Sequence, residues 1–229
     1  MQVEEHILDR ARPNSKTYRI IPSKYPSIKL FENCANPDDL ESLYVLESLT
    51  NSRLKQEAGE LSLVPPEDRI SGEGTSVILA AFTHTGIASR FTDGSYGVYY
   101  AGIDLNTAIA ESKHWQEQEM AHLEDQPPFT RTMRVYVSQI NSDLSDLVDL
   151  RTDIRVQDPD NYGVSQSIAR DIRDKDEYGF LYSSVREKGG ECLAALRPPI
   201  MKPAIQSMHL RYHWNGSEIN HIEKVSDVP

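Results

Sequence analysis

The chain is short of cysteine, of long apolar runs and of positive charge, and each shortage excludes something. Its two cysteines, Cys34 and Cys192, stand far apart and in no CxxC pair. A cysteine-built zinc site is therefore not expected. Two readings stay open: a pair of buried free thiols in a reducing compartment, or one disulfide. The longest uninterrupted apolar run, VILAAF at Val77 to Phe82, falls far short of the roughly 20 residues that a membrane span needs. The first residues, MQVEEHILDR, hold no basic segment followed by an apolar one. No secretory signal is read there, and the cytoplasm is the expected compartment. Lysine and arginine number 24 against 35 aspartates and glutamates, a net charge of -11. A nucleic-acid binder needs basic surface to displace counterions, so direct contact with nucleic acid is not expected. A small phosphorylated ligand in a local arginine pocket, or a basic protein partner, remains compatible. Also missing are GxGxxG, GxxxxGK[ST], HExxH and GxSxG.

What is present fits one domain. At 229 residues the chain can bury a full hydrophobic core. Thr17 to Ile21 reads as a strand closed by Pro22. Asn36 then caps a helix with Pro37 at its first position and acids in its first turn. Leu40, Leu43, Tyr44, Leu46 and Leu49 give that helix an apolar face, and it is expected to run to about Lys55. Val77 to Phe82 reads equally as a buried strand or as helix. Further strands are expected over 97–101, 129–137, 179–185 and 191–196, with helices over 104–123 and 165–174. The carboxyl-terminal part reads as a hairpin over about 205–225, turning at Asn215-Gly216. Strands outnumber helices without alternating strictly with them, so the fold class is α+β, a single mixed α/β domain.

The candidate chemistry gathers at Arg90 to Glu111, RFTDGSYGVYYAGIDLNTAIAE. Arg90 precedes a strand and offers a bidentate anchor for phosphate or carboxylate, against the reading of a plain surface charge. Tyr99 and Tyr100 are adjacent in a strand and face opposite sides, so only one can serve a given site. Glu111 follows the small residues Ala108-Ile109-Ala110, which suggests close packing and a partly buried carboxylate. The alternative is a solvated helix acid paired with a nearby base. Ser184 has no base beside it and suits hydrogen bonding better than nucleophilic attack. His209 and His213 are four apart along a strand, a separation of about 13 Å that does not suit a shared metal. No metal is expected. His84 reads as making a loop hydrogen bond.

Read together, these segments resemble the RES-domain family, named for an arginine, a glutamate and a serine. The early Tyr-Arg is matched by Tyr18-Arg19, the arginine before the turn by Arg90, and the V-Y-Y strand by Val98-Tyr99-Tyr100. The A-x-x-E helix is matched by Ala108 to Glu111, and the Y-P-S-V-R segment with its Gly-Gly turn by Tyr182 to Arg186 and Gly189-Gly190. The resemblance spans about 17–198, with room for an insertion over about 38–73. The chain departs from the pattern at Phe91-Thr92, where Trp-Asn is common, at Ser183 in place of proline, and at Glu191 in place of asparagine.

The resemblance implies an ADP-ribosyltransferase-like fold and a toxin whose partner is a helix-turn-helix antitoxin. It implies NAD+ as substrate, with no prosthetic group, cleaved at the nicotinamide–ribose bond by hydrolysis or phosphorolysis. Transfer of ADP-ribose to a protein is the alternative reaction, and a non-catalytic binding module the alternative of another class. Glu111 would stabilise an oxocarbenium-like ribose, and Arg19 and Arg90 would hold pyrophosphate or attacking phosphate. Tyr100 would stack on nicotinamide or bond to a ribose hydroxyl. Ser184 would hydrogen-bond to the ribose or the amide, and Arg186 would assist at the anion site. A homo-oligomer stays open.

Overall fold

The computed structural model describes residues 15–25, 30–34, 36–49, 58–122, 127–141 and 147–225. Eight strands are described: β1 Lys16–Pro22, β2 Tyr99–Gly102, β3 Phe129–Gln139, β4 Leu147–Leu150, β5 Gly179–Ser183, β6 Glu191–Ala195, β7 Ile205–Trp214 and β8 Ile219–Val225. They form one sheet in the order β4-β5-β6-β2-β1-β3-β7-β8. Every ladder is antiparallel except β4 with β5. Four α-helices are described: α1 Leu40–Ser48, α2 Ser76–Thr83, α3 Leu105–Ala121 and α4 Gly163–Arg173. The α+β class and the terminal hairpin are both present.

Period-two alternation in β6 sorts the core onto two faces of the sheet. Leu193 and Ala195 join Tyr99, Ile78, Leu79 and Phe82 on one side. Cys192 and Ala194 join Phe91, Phe180, Tyr182, Ala169 and Ile172 on the other. A third cluster lies under α3, where Met120 meets Met133, Leu210, Tyr212 and Trp214.

The open question at Val77 to Phe82 resolves as helix. Thr75, Ser76, Ile78, Leu79, Phe82 and Thr83 are buried, while Val77, Ala80 and Ala81 are less so. That is a helical stripe rather than a two-residue alternation. Asn36 does cap, with its side chain accepting from Asp38 N, but the turn it opens is 3-10 (Pro37–Asp39) before α1 begins. The expected apolar face of α1 is only half right. Leu40 is buried, yet Leu46 and Leu49 are 63% and 76% exposed. The expected continuation to Lys55 falls on 50–57, outside the described residues, as does Leu123. The loop joining β7 to β8 is longer than a two-residue turn. Asn215 Oδ1 accepts from Ser217 N and Glu218 N at 2.9 Å each, and Asn215 N donates to Glu218 O at 3.0 Å. The segment 38–73 contributes no strand among the described residues, and packs Leu40, Ala58, Leu61 and Val64 into the first core face.

β1 and β2 register at one residue pair, Tyr18 with Gly102. Ile103 N donates to Glu191 O on β6, so the alternating pattern turns the Tyr100 carbonyl toward β1. On the Tyr100 side of this pair the two strands part, and Arg19 Nη1 donates to Tyr100 O at 3.2 Å in place of a ladder bond. The parting opens the middle of the sheet beside α3.

Candidate active site

Glu111 reaches this opening because α3 is seated very close to β2. Asp104 caps the helix, accepting from Thr107 N at 2.9 Å and from Thr107 Oγ1 at 2.6 Å. A Cβ added to Gly102 would lie 2.6 Å from Ala108 N, so only glycine allows this approach. The small residues before Glu111 thus do mark a tight contact. Glu111 stands one turn beyond Ala108 on the same helix face.

Its partner comes from the loop after β5. Ser184 Oγ donates to Glu111 Oε1 at 2.6 Å, and accepts from Arg186 N at 3.1 Å and Glu187 N at 3.0 Å. A hydroxyl has one hydrogen and two lone pairs, so all its capacity is used within the protein. Where the sequence expectation has Ser184 bonding to a ligand, its hydroxyl here is turned to Glu111 and to its own loop. Ser184 N donates to Gly190 O at 2.9 Å, which closes the loop. A Cβ on Gly190 would meet Thr107 Oγ1 at 2.5 Å, so the Gly-Gly turn lets this loop press on the start of α3.

The cleft is about 200 Å³, at the small end for ligand sites, and takes in β1, β2, the inner face of α3 and the loops after β5 and before α4. Arg19, Arg90, Tyr100, Glu111 and Arg186 all line it, whereas Ser184 sits behind Glu111. Arg19 is half-buried over the Tyr99 ring, 4.5 Å from its centroid, and its buried Nε has no partner among the described residues. Burial lowers its pKa from the ordinary arginine value. Arg90 is 8% exposed. Its Nη1 donates to Val156 O at 3.0 Å and Asp158 O at 2.7 Å, and its guanidinium lies 4.8 Å from the Tyr162 ring centroid. One corner of the expected fork is therefore already committed to backbone. Arg186 Nη2 donates to Pro159 O at 2.8 Å, and its buried Nε also lacks a partner among the described residues. Buried guanidinium N–H groups without acceptors favour an anion nearby.

The two tyrosines divide as the strand period requires. Tyr99 points into the first core face and Tyr100 toward the second, at the cleft. Tyr100 Oη pairs with Ser89 Oγ at 2.7 Å and accepts from Phe91 N at 3.1 Å. Burial raises the pKa of both phenols, Tyr99 to about 12 and Tyr100 further. Cys192 lies 3.9 Å from Glu111 Oε1, and burial together with that carboxylate pushes its thiol up. It is a neutral wall group and no nucleophile.

Several cleft residues escaped the sequence reading, among them His114, Trp115 and Tyr162. His114 and Trp115 follow Glu111 by one turn of α3, so helical spacing could have flagged them. Burial, and then the nearby Arg186, lower the His114 pKa. Tyr162 arrives from a loop distant in sequence, and nothing local announced it.

The RES domain family model matches residues 66–215, a span that begins after Arg19. A protein of Sinorhizobium fredii described as "Uncharacterized protein y4oC" is 26% identical over 224 residues, covering 96% of this chain and 92% of that protein. Among solved structures, a chain of the M. tuberculosis MbcT-MbcA toxin-antitoxin complex is similar at 10% identity and a TM-score of 0.38, over 56% of this chain and 72% of that one.

Proposed function

This chain belongs to the RES-domain family, and on that premise we propose that it is an NAD+-consuming enzyme, the toxin of a toxin–antitoxin pair. The observation that carries the reading is Glu111, a carboxylate fixed by Ser184 at 2.6 Å in a cleft bordered by three arginines. Nicotinamide leaves a cationic linkage as a neutral base, so its departure needs no general acid. What needs help is the ribose, which gathers positive charge as the bond breaks. A preorganised carboxylate beside that carbon stabilises the charge where it develops.

The other groups take roles that fit this chemistry. Arg19 and Arg186, with unmatched N–H groups, receive the pyrophosphate or an attacking phosphate, and the uncommitted edge of Arg90 supports them. Tyr100 offers its ring to nicotinamide. Given the modest volume, the nicotinamide riboside end enters the cleft while the adenosine half lies along its rim. Ser184 positions the carboxylate and touches no substrate. The partner is a helix-turn-helix antitoxin that covers the cleft.

The test is incubation of the purified chain with NAD+, with and without inorganic phosphate, followed by chromatography of the products. Nicotinamide with ADP-ribose identifies water as the acceptor, and nicotinamide with phosphorylated ADP-ribose identifies phosphate. Label from NAD+ found on extract protein instead identifies ADP-ribosyl transfer. No nicotinamide from folded protein under any of these conditions overturns the reading.

A further inference from the structure

The outer face of the β7–β8 hairpin carries a side-chain cluster far in the sheet from the Glu111 cleft. His213 of β7 pairs directly across from His221 of β8, and Glu223 lies two residues further along β8 on the same face. One donor atom from each of the three lies within 4.8 Å of the other two. His213 Nε2 is 3.2 Å from Glu223 Oε1, and the two imidazole centroids are 5.2 Å apart. We propose that His213, His221 and Glu223 form a binding site for a divalent transition-metal ion of the zinc type, clipping the edge strand β8 to β7.

The donor set suits such an ion. Imidazole nitrogen and carboxylate oxygen bind zinc at about 2.0–2.2 Å, and tetrahedral geometry then separates ligand atoms by roughly 3.3 Å. The His213–Glu223 distance already meets that spacing, and no pair need close by more than about 1.5 Å, within the reach of partly exposed side chains on a hairpin. Two neutral imidazoles with one carboxylate supply net negative charge and leave one position for water, as in open three-ligand zinc sites.

The surroundings orient the ligands. Thr130 Oγ1 on β3 lies 3.2 Å from His213 Nδ1. If Nδ1–H donates to that hydroxyl, Nε2 keeps its lone pair for the metal, the usual support behind a ligating histidine. Arg211 Nη1 stands 3.4 Å from Glu223 Oε1. Both His213 and Arg211 meet Oε1, and Glu223 has a second carboxylate oxygen to which Arg211 can shift, leaving Oε1 for the metal. Tyr212 and Trp214 alternate to the opposite, buried face, so the strand itself is anchored while the ligands stay accessible.

The experiment uses the full chain without a histidine tag, stripped with a chelator and titrated with zinc chloride by calorimetry. One equivalent per chain is expected. His213→Ala and His221→Ala should each weaken binding by at least tenfold, and Thr130→Val by roughly tenfold. His122→Ala, just past the end of α3, serves as the control and should bind as wild type does. Zinc at about a hundredfold excess over Kd should raise Tm by roughly 5–10 °C in the wild type and not in His221→Ala. Cobalt(II) should give a visible absorption band of four-coordinate type that is lost in His213→Ala. Variants that keep the metal-free Tm of the wild type establish that the fold is intact. Absence of stoichiometric binding in the wild type, or unchanged affinity in both histidine variants, overturns the site.

Discussion

Replacing Ser184 with alanine removes one donated and two accepted hydrogen bonds at once, and the consequences separate two roles. The bond to Glu111 Oε1 is 2.6 Å, a hydroxyl donating to a carboxylate. Such charge-assisted bonds contribute about 1.5–3 kcal/mol. If that energy holds Glu111 where the ribose charge develops, its loss lowers kcat by about 10- to 150-fold. KM should stay nearly constant, because Ser184 Oγ has no hydrogen-bonding capacity left for substrate. Arg186 N and Glu187 N also lose their acceptor, at a stability cost of about 1 kcal/mol and a Tm drop of roughly 2–4 °C. The assay is steady-state nicotinamide release over a range of NAD+ concentrations, with thermal unfolding of both proteins in the same buffer. A raised KM with unchanged kcat would show that Ser184 meets the substrate and would refute the positioning argument. Unchanged values of both would show that Glu111 needs no such support.

Three further outcomes follow from the packing and the charges. Gly102→Ala places a methyl 2.6 Å from Ala108 N, so α3 must retreat. A loss of about 2 kcal/mol in chemical denaturation, with reduced NAD+ cleavage, is expected, and full activity would contradict the account of how Glu111 is placed. Asp68 accepts three bonds from Arg197, from Nε to both carboxylate oxygens at 2.9 Å and from Nη2 to Oδ1 at 2.7 Å, and Asp68→Ala leaves that guanidinium with Asp176 O as its remaining acceptor. Because Arg197 keeps 22% exposure, the cost should be about 2 kcal/mol rather than the roughly 3–5 kcal/mol of a fully buried pair, and denaturation within error of wild type would count against it. His114 has a folded pKa below its ordinary value, so the unfolded chain binds the proton first as pH falls. Its contribution to stability is present above the ordinary histidine range and is lost on acidification from about pH 7 to 5. His114→Gln should flatten that part of the urea stability profile, and an identical slope would argue that the histidine stays solvated.

The residues that announce themselves locally were legible. Ala108-Ile109-Ala110 signals a helix packed close to something, and Gly102 proves to be what it meets. The alternation over 129–137 and the hairpin pattern over about 205–225 marked β3, β7 and β8 as strands. Leu147–Leu150 was missed because SDLSDLVDL carries an acid at every third position and little β-branching. Only its parallel pairing beside β5 makes it a strand. The parting of β1 from β2 was invisible, since register is set by the whole sheet rather than by TYRII or GVYYA. The same limit applies to the histidines. His209 and His213 were weighed along one strand, whereas the close neighbour of His213 is His221 across the hairpin. Ser184 was found for its residue type and order, but its saturation by Glu111, Arg186 and Glu187 needed coordinates.

Nicotinamide release by wild type and Glu111→Gln, prepared and assayed side by side, tests the central claim most directly. Glutamine keeps the shape and can still accept from Ser184, while the negative charge is gone. The account predicts wild-type turnover of NAD+, a fall of roughly 100-fold or more in the variant, and matching circular dichroism spectra. Equal rates of release from the two proteins would contradict it.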